Sequence, residues 1–252
     1  MKDLLFCFLE KYSVAHALAR SLEASVLSQF KLTAPSLDFG CADGIFARIC
    51  YGKQKIDVGV DISSQNIRFA PRSGAYKQVF LSEKETLSFK NSSFQTVISN
   101  SVFEHIKDID PILAEINRVL KKGGRLVFAV PGEKTVQFWT LTRFLGSWYT
   151  NFKNFLWQHK TLEDRNYWMN RLEEHGFRVK QILTFADQEA IALLDYFYPL
   201  SAFSFLTKRI FGRYYTVRPR FLNELLARFL RRRIEFGEVE NGASFCFEAV
   251  KL

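Results

Sequence analysis

The chain has 252 residues, 48% of them hydrophobic and 24% charged, enough to bury a large core without disulfide or metal staples and unlike a disordered, collagen-like or coiled-coil composition. The net charge is +9, and nearly all of it falls between Thr207 and Arg233, where nine basic residues face the single acid Glu224. Charged partners are therefore a matter for that one segment.

Cys7, Cys41, Cys50 and Cys246 form no C-x-x-C pair, so the sequence suggests neither a zinc site nor a disulfide framework and no metal is expected. Reduced thiols are the default, which points to the cytoplasm. The apolar run Leu4 to Leu9 ends at Glu10 and Lys11, too short for a secretory leader. The most span-like stretch, Ile191 to Leu206, is interrupted by Asp195 and Pro199 and is too short to cross a bilayer.

Residues 1 to 30 read as helix, with Leu18, Leu22 and Val26 at every fourth position. Strands and helices then alternate. Ser36 to Phe39 reads as a strand, Ile45 to Cys50 as a helix and Lys55 to Asp61 as a second strand. Gln65 to Arg72 reads as helix, Gln78 to Leu81 and Thr96 to Asn100 as strands. Ile109 to Leu120 reads as a helix with Asp110 as its cap, Pro111 in its first turn and Gly123 as its stop. Arg125 to Val130 is a fifth strand. Thr161 is expected to open a helix that ends at Gly176, followed by strands over Arg178 to Phe185 and Ser244 to Lys251. Such alternation predicts an α/β chain: a Rossmann-like, doubly wound, mostly parallel seven-stranded sheet with an antiparallel last strand and a helical insert. Ligands on such sheets lie outside the carboxyl ends of the strands.

Two features carry chemistry. Asp38-Phe39-Gly40-Cys41-Ala42-Asp43-Gly44 follows the first strand and precedes a helix. Glycines there let backbone approach a ligand and leave its N–H groups free to bind. Asp61 closes the second strand, and a carboxylate at that place can accept from both hydroxyls of a ribose. Together they predict a nucleoside-bearing cofactor across strands one and two. A nicotinamide cofactor would satisfy both clues, but its G-x-G-x-x-G pattern is not met.

The segment from Ser36 to Pro131 resembles the class I S-adenosylmethionine-dependent methyltransferases, in particular the branch with small-molecule or lipid acceptors (methyltransferase type 11-like). The blocks that carry the likeness are Leu37 to Gly44, Val58 to Ser63, Ser82 to Phe89, Asn100 to Ile106 and Leu120 to Leu126. Ala42 departs from the pattern, where the middle glycine usually stands. The resemblance implies S-adenosyl-L-methionine as cofactor and S-adenosyl-L-homocysteine as product. It implies that Gly40, Cys41 and Ala42, before the Gly44 turn, offer backbone around the methionine part, with Asp38 fixing the turn or meeting the amine. Asp61 would take the ribose, Ile62 would pack on the adenine, and Glu83 and Lys84 would meet the adenine edge. Asn100, followed by Ser101, would turn its carbonyl to the cofactor amine. His105 would stand beside the methyl group as a base for an acceptor hydroxyl; the other reading is that His105 or Glu104 only orients its loop. His16, His159 and His175 read as surface or helix histidines without a role.

The acceptor side rests on two inserts in what is read as one domain over 1–252, with an N-terminal helical segment at 1–30 and a cofactor-binding core at 36–131. Residues 136–157 carry Phe138, Trp139, Phe144, Trp148, Tyr149, Phe152, Phe155 and Trp157 and read as an aromatic lid. Residues 187–236 are apolar, then basic. Within them Pro219 to Arg233 reads as a helix with Leu222, Leu225, Leu226, Phe229 and Leu230 on one face and arginines around the other. That pattern fits an interfacial helix on an anionic membrane, here through 207–233 on the inner face, and equally a helical cover with a solvated basic side. Nucleic acid is disfavoured: no Pro-Pro-aromatic block follows the fourth strand, which rather reads Asn100-Ser101-Val102-Phe103. The expected function is methyl transfer to an oxygen, less readily a nitrogen, of a small or lipid-linked acceptor. A non-catalytic cofactor-binding or interaction protein on the same scaffold, and an RNA methyltransferase, are the alternatives.

Overall fold

In the computed structural model, residues 3–82, 86–157, 159–201, 207 and 218–252 are described. Seven strands form one sheet in the order β3-β2-β1-β4-β5-β7-β6. They are β1 (Ser36–Phe39), β2 (Ile56–Asp61), β3 (Tyr76–Leu81), β4 (Phe94–Asn100), β5 (Leu120–Pro131), β6 (Phe177–Phe185) and β7 (Ser244–Lys251). β1 to β5 pair in parallel; β7 runs antiparallel between β5 and β6. The chain reverses on either side of β1, so the carboxyl ends of β1 and β4 diverge there and leave a crevice.

The helices are α1 (Leu4–Leu9), α2 (Val14–Leu27), α3 (Ile45–Cys50), α4 (Ser64–Phe69), α5 (Asp110–Val119), α6 (Lys134–Phe138), α7 (Thr142–Trp157), α8 (Arg165–Glu174), α9 (Gln188–Phe197) and α10 (Arg220–Arg233). One face of the sheet is covered by residues of α1, α2, α3, α9 and α10, among them Phe8, Leu18, Leu22, Ile49, Ile191 and Leu230. The other packs α5 and α8 through Leu113, Ile116, Trp168 and Leu172 onto Phe128 and Phe247. In α5 the apolar residues recur at helical spacing, and all four of Ile112, Leu113, Ile116 and Val119 are buried.

Several local readings are corrected. The N-terminal helix is two helices, because Ser13 caps α2 by accepting from the His16 N–H and so starts a new helix after α1. Asp110 is not a cap: Ile109 precedes α5 without a side-chain bond, and Asp110 faces Arg171 at 3.3 Å. α5 stops at Val119, where Leu120 turns extended and opens β5 five residues earlier than expected. The helix before β6 starts at Arg165, since the Asp164 carboxylate, not Thr161, accepts from the Tyr167 N–H at 2.7 Å. The α4 helix ends before Pro71, and a short 3-10 turn over Ala70–Ser73 completes it.

The inserts are also refined. α7 is broken at Gly146, whose φ of 58° leaves the helical region. Trp139 and Tyr149 turn inward, whereas Phe144 and Trp148 lie exposed; the side chains of Phe152 and Phe155 lie outside the description. In α10 the expected apolar face is divided: the structure buries Asn223, Ala227 and Leu230, and leaves Leu222, Leu225 and Phe229 outside. No helix among the described residues is long and apolar enough to cross a membrane.

Candidate active site

The β1–α3 turn needs left-handed backbone at Gly40, Ala42 and Gly44, with φ of 83°, 47° and 76°. At Gly40 the reason is also steric: a Cβ there would collide with the Val102 side chain beyond β4. Ala42 carries a Cβ in a region that costs an L residue about 1–2 kcal/mol. Its N–H is held at 2.9 Å by Asp61 Oδ2, a bond that offsets the strain and ties the first turn to the end of β2.

The first three N–H groups of the turn are already engaged. Gly40 and Cys41 both donate to the Val60 carbonyl at 2.9 Å, and Ala42 donates to Asp61. The expectation that these amides are free for a ligand is therefore corrected: what the turn offers is close backbone approach. Burial pushes the Cys41 thiol far above its ordinary range, so it is a packed thiol and not a nucleophile.

Asp61 accepts three bonds, from the N–H groups of Ala42 and Ser63 and from Asn66 Nδ2 at 3.1 Å. A carboxylate has about four lone-pair directions, so one remains on Oδ2. Asp38 is buried and accepts from the Tyr76 hydroxyl at 2.6 Å; the same hydroxyl reaches the Cys41 carbonyl at 3.2 Å. Burial raises the Asp38 carboxyl to about 7, against the lowering effect of Tyr76 and with help from nearby Asp61.

These groups line a cavity of about 750 Å³ running past Asp38, Gly40 to Asp43, Asp61 and Ile62 to Asn100, Ser101 and His105. Ile62 is 73% exposed at its rim, so it is not core. Ser82 Oγ and Asn100 Oδ1 are buried without a hydrogen-bond partner among the described residues. Buried polar atoms are rarely left unmatched without cause. Two acceptors, two carboxylates and an exposed apolar side chain around one crevice fit an adenosyl group with an amino-acid tail. Glu83 and Lys84 lie outside the described residues.

α2 closes the crevice from above. Glu23 accepts from Arg20 at 2.6 Å, from Asn100 Nδ2 at 2.7 Å and from Ser101 Oγ at 2.7 Å. The sequence carried one signal for this pair, an Arg-x-x-Glu on one turn of an otherwise apolar helix, but nothing local said which strand it would meet. His16, read as a surface or helix histidine without a role, lies in α2 but is buried, bonds Ser13 Oγ at 2.9 Å and lines the larger cavity. His175, by contrast, caps α8 and bonds the Arg171 carbonyl at 2.9 Å.

A smaller cavity of about 100 Å³ lies alongside and shares Arg20, Ser101, His105 and Trp157 with the larger one. Its wall includes Trp139, Lys153, His159 and Asp195 from or beside the two inserts. Lys153 and Asp195 are each 2% exposed and pair at 2.8 Å. Asp195 also accepts from the Tyr149 hydroxyl and from the Thr140 N–H. The Lys153 ammonium sits 4.1 Å from the Tyr198 ring and 5.4 Å from that of Trp139, so aromatic faces replace part of its lost water. Desolvation lowers its proton affinity all the same.

Glu104 is 2% exposed, and its Oε2 has no partner among the described residues. Burial, reinforced by the Glu23 carboxylate, raises it to about 8, so at neutral pH it holds a proton. His105 Nε2 stands 3.9 Å from Glu104 Oε1, and its ring stacks on His159 at 5.9 Å. His159, read as a surface or helix histidine, is half-buried outside the helices: burial, with His105 and Lys153 adding to it, lowers its imidazole to about 3, and its Nδ1 is unpartnered among the described residues.

A crevice for a nucleoside between β1 and β2, opening on a second pocket beyond β4, defines a class I methyltransferase architecture, and the sequence comparisons agree with it. The methyltransferase-domain family matches residues 11–182, and the chain belongs to that family, whose cofactor is S-adenosylmethionine. It is 28% identical over 147 residues to an uncharacterized protein of Methanocaldococcus jannaschii, covering 56% of this chain and 63% of that one. It is 27% identical over 93 residues to a malonyl-[acyl-carrier protein] O-methyltransferase of Hamiltonella defensa, covering 37% and 36%. The chain spans less than two thirds of the length of these curated relatives. A Thermotoga maritima structure described as a SAM-dependent methyltransferase, possible histamine N-methyltransferase, superposes with a TM-score of 0.60 at 17% identity, covering 95% of this chain and 92% of that one.

Proposed function

We propose that the protein methylates an oxygen of a small or lipid-linked acceptor whose reactive group enters the smaller cavity, with His105 receiving the proton. The observation that carries the reading is that His105 and Ser101 wall both cavities at once, so an acceptor in one meets a cofactor in the other at His105. S-adenosylmethionine supplies, when bound, an electrophilic methyl on a sulfonium with a neutral leaving group. The chain's own residues then have to align and to exclude water. Asp61 keeps one acceptor direction for a ribose hydroxyl, and Asn100 Oδ1 and Ser82 Oγ, on the same cavity, have no partner among the described residues. Glu104, carrying its proton, offers an O–H donor into the smaller cavity.

With that cofactor bound, the acceptor oxygen would take the methyl group as the sulfonium leaves as a neutral thioether, and His105 would receive the hydroxyl proton. The smaller cavity is below the about 150 Å³ that holds a benzene ring. It therefore suits a compact oxygen-bearing head, not an acyl chain, and any tail would lead back through the larger opening. An O-methyltransferase among the relatives is consistent with oxygen.

The test is release of S-adenosylhomocysteine over a panel of hydroxyl and carboxylate acceptors. With an accepted hydroxyl substrate, His105→Gln should lower kcat about 10²–10⁴-fold while cofactor affinity, read by calorimetry, stays unchanged. Tight cofactor binding with no turnover on the whole panel would refute the enzyme reading.

A further inference from the structure

We infer that α10 is an interfacial helix that seats the protein on an anionic lipid surface. A helix that merely covers a core buries its apolar stripe. In α10 the stripe turned inward is Asn223, Ala227 and Leu230, with Leu226 half-buried against the core at its edge. Phe221, Leu222, Leu225 and Phe229 are exposed. At 3.6 residues per turn those four fall within an arc of about 100°, roughly opposite the buried stripe.

The helix cannot roll to hide them. Arg218, just before it, donates to the Leu9 and Tyr12 carbonyls at 2.6 Å and to Asn223 Oδ1 at 3.0 Å. Burial of that guanidinium marks a fixed anchor, and Ile234 is buried at the other end. The outward face is therefore a property of the folded chain.

Charge identifies the occupant. On the helical wheel Arg228 and Arg232 lie beside or within the exposed arc, and neither makes an ion pair among the described residues. Arg233 flanks the arc from the other side, its guanidinium 5.6 Å from the Phe229 ring centroid. Glu224 is the one acid in the helix, and Arg220 already meets it at 3.4 Å. Large apolar side chains interleaved with arginines match the acyl boundary and the anionic headgroups of one leaflet. Nucleic acid phosphates would engage the arginines but would leave four apolar side chains in water. The inference does not depend on the acceptor chemistry proposed above.

The test is flotation of the full chain with phosphatidylcholine vesicles, with and without phosphatidylglycerol. Binding is expected only where the anionic lipid is present, and it should weaken as salt rises. Leu225→Asp/Phe229→Asp should cut it about tenfold or more, and Arg228→Gln and Arg232→Gln about fivefold each. Unchanged S-adenosylhomocysteine affinity and an unchanged melting temperature show that the variants are folded. Failure of the native chain to float with anionic vesicles at low salt would overturn the proposal. So would equal binding to neutral vesicles, or indifference to the Leu225/Phe229 pair. Tighter binding to RNA that ignores those two residues would transfer the basic face to nucleic acid.

Discussion

The larger cavity is built on the turns at the carboxyl ends of β1, β2 and β4, with His16 and Arg20 of α2 also on its wall, whereas the smaller one draws more of its wall from α2, α7 and α9. The first depends on dihedral angles and one shared carboxylate, Asp61. The second depends on buried charges, Lys153 with Asp195 and the protonated Glu104, that helices far apart in sequence bring together. A cofactor common to a family can be held by turns that any member can form, while an acceptor is selected by groups that belong to this chain. The two halves should therefore fail differently.

The largest expected effect lies in the helical half. Asp195→Ala strands the Lys153 ammonium in an apolar cage and should cost about 3–5 kcal/mol of stability, read by chemical denaturation. Once folded at low temperature, the variant should keep its affinity for S-adenosylhomocysteine; a large loss of that affinity would mean that the halves are coupled. Next, Gly40→Ala combines a left-handed φ with a clash on Val102 and should cost about 2–4 kcal/mol. It should also abolish cofactor binding in calorimetry, with partial recovery in Gly40→Ala/Val102→Ala. No recovery would mean that dihedral strain alone matters.

One prediction joins the halves through protons. Asp38 and Glu104 have folded-state values near 7 and 8, above their ordinary 3.8 and 4.5. Between those limits the folded chain binds more protons than the unfolded chain. Stability should therefore fall as pH rises through that window. The loss begins near pH 4 and levels off above pH 8. Asp38→Asn should remove the part that ends near pH 7 and Glu104→Gln the part that continues to about 8. A pH profile unmoved by either substitution would contradict the burial assigned to these carboxyls. The smallest effect is at Ala42, where Ala42→Gly relieves the positive φ and should gain up to about 1 kcal/mol, seen as a modest rise in melting temperature.

Legibility in the sequence followed the range of the interactions. The β1–α3 turn and the carboxylate ending β2 are adjacent-residue features, since strand, glycine and helix follow one another within ten positions. Ser36–Phe39, Ile45–Cys50 and Ser244–Lys251 accordingly stand where the apolar patterns place them. Cap positions slipped by a few residues because Asp110, Thr161 and Asp164 all have the right chemistry, and only the local backbone decides which oxygen meets which N–H. Nothing in the periodicity of α2 showed that Glu23 would span Asn100 and Ser101, since that contact crosses 77 and 78 positions of sequence.

Local pattern and composition thus determined the order of strands and helices, the glycine turn, Asp61 and the basic character of the last helix, because those depend on dihedral preference and on hydrophobic spacing along a few residues. Tertiary structure alone decided that His16 is interior and His159 lines a cavity, that Lys153 and Asp195 pair, that burial raises the Glu104 carboxyl, and which stripe of α10 faces outward. The reason is physical. Burial and the dielectric around a charge are properties of everything packed against it, and a side chain meets most of those neighbours only when distant segments close over it.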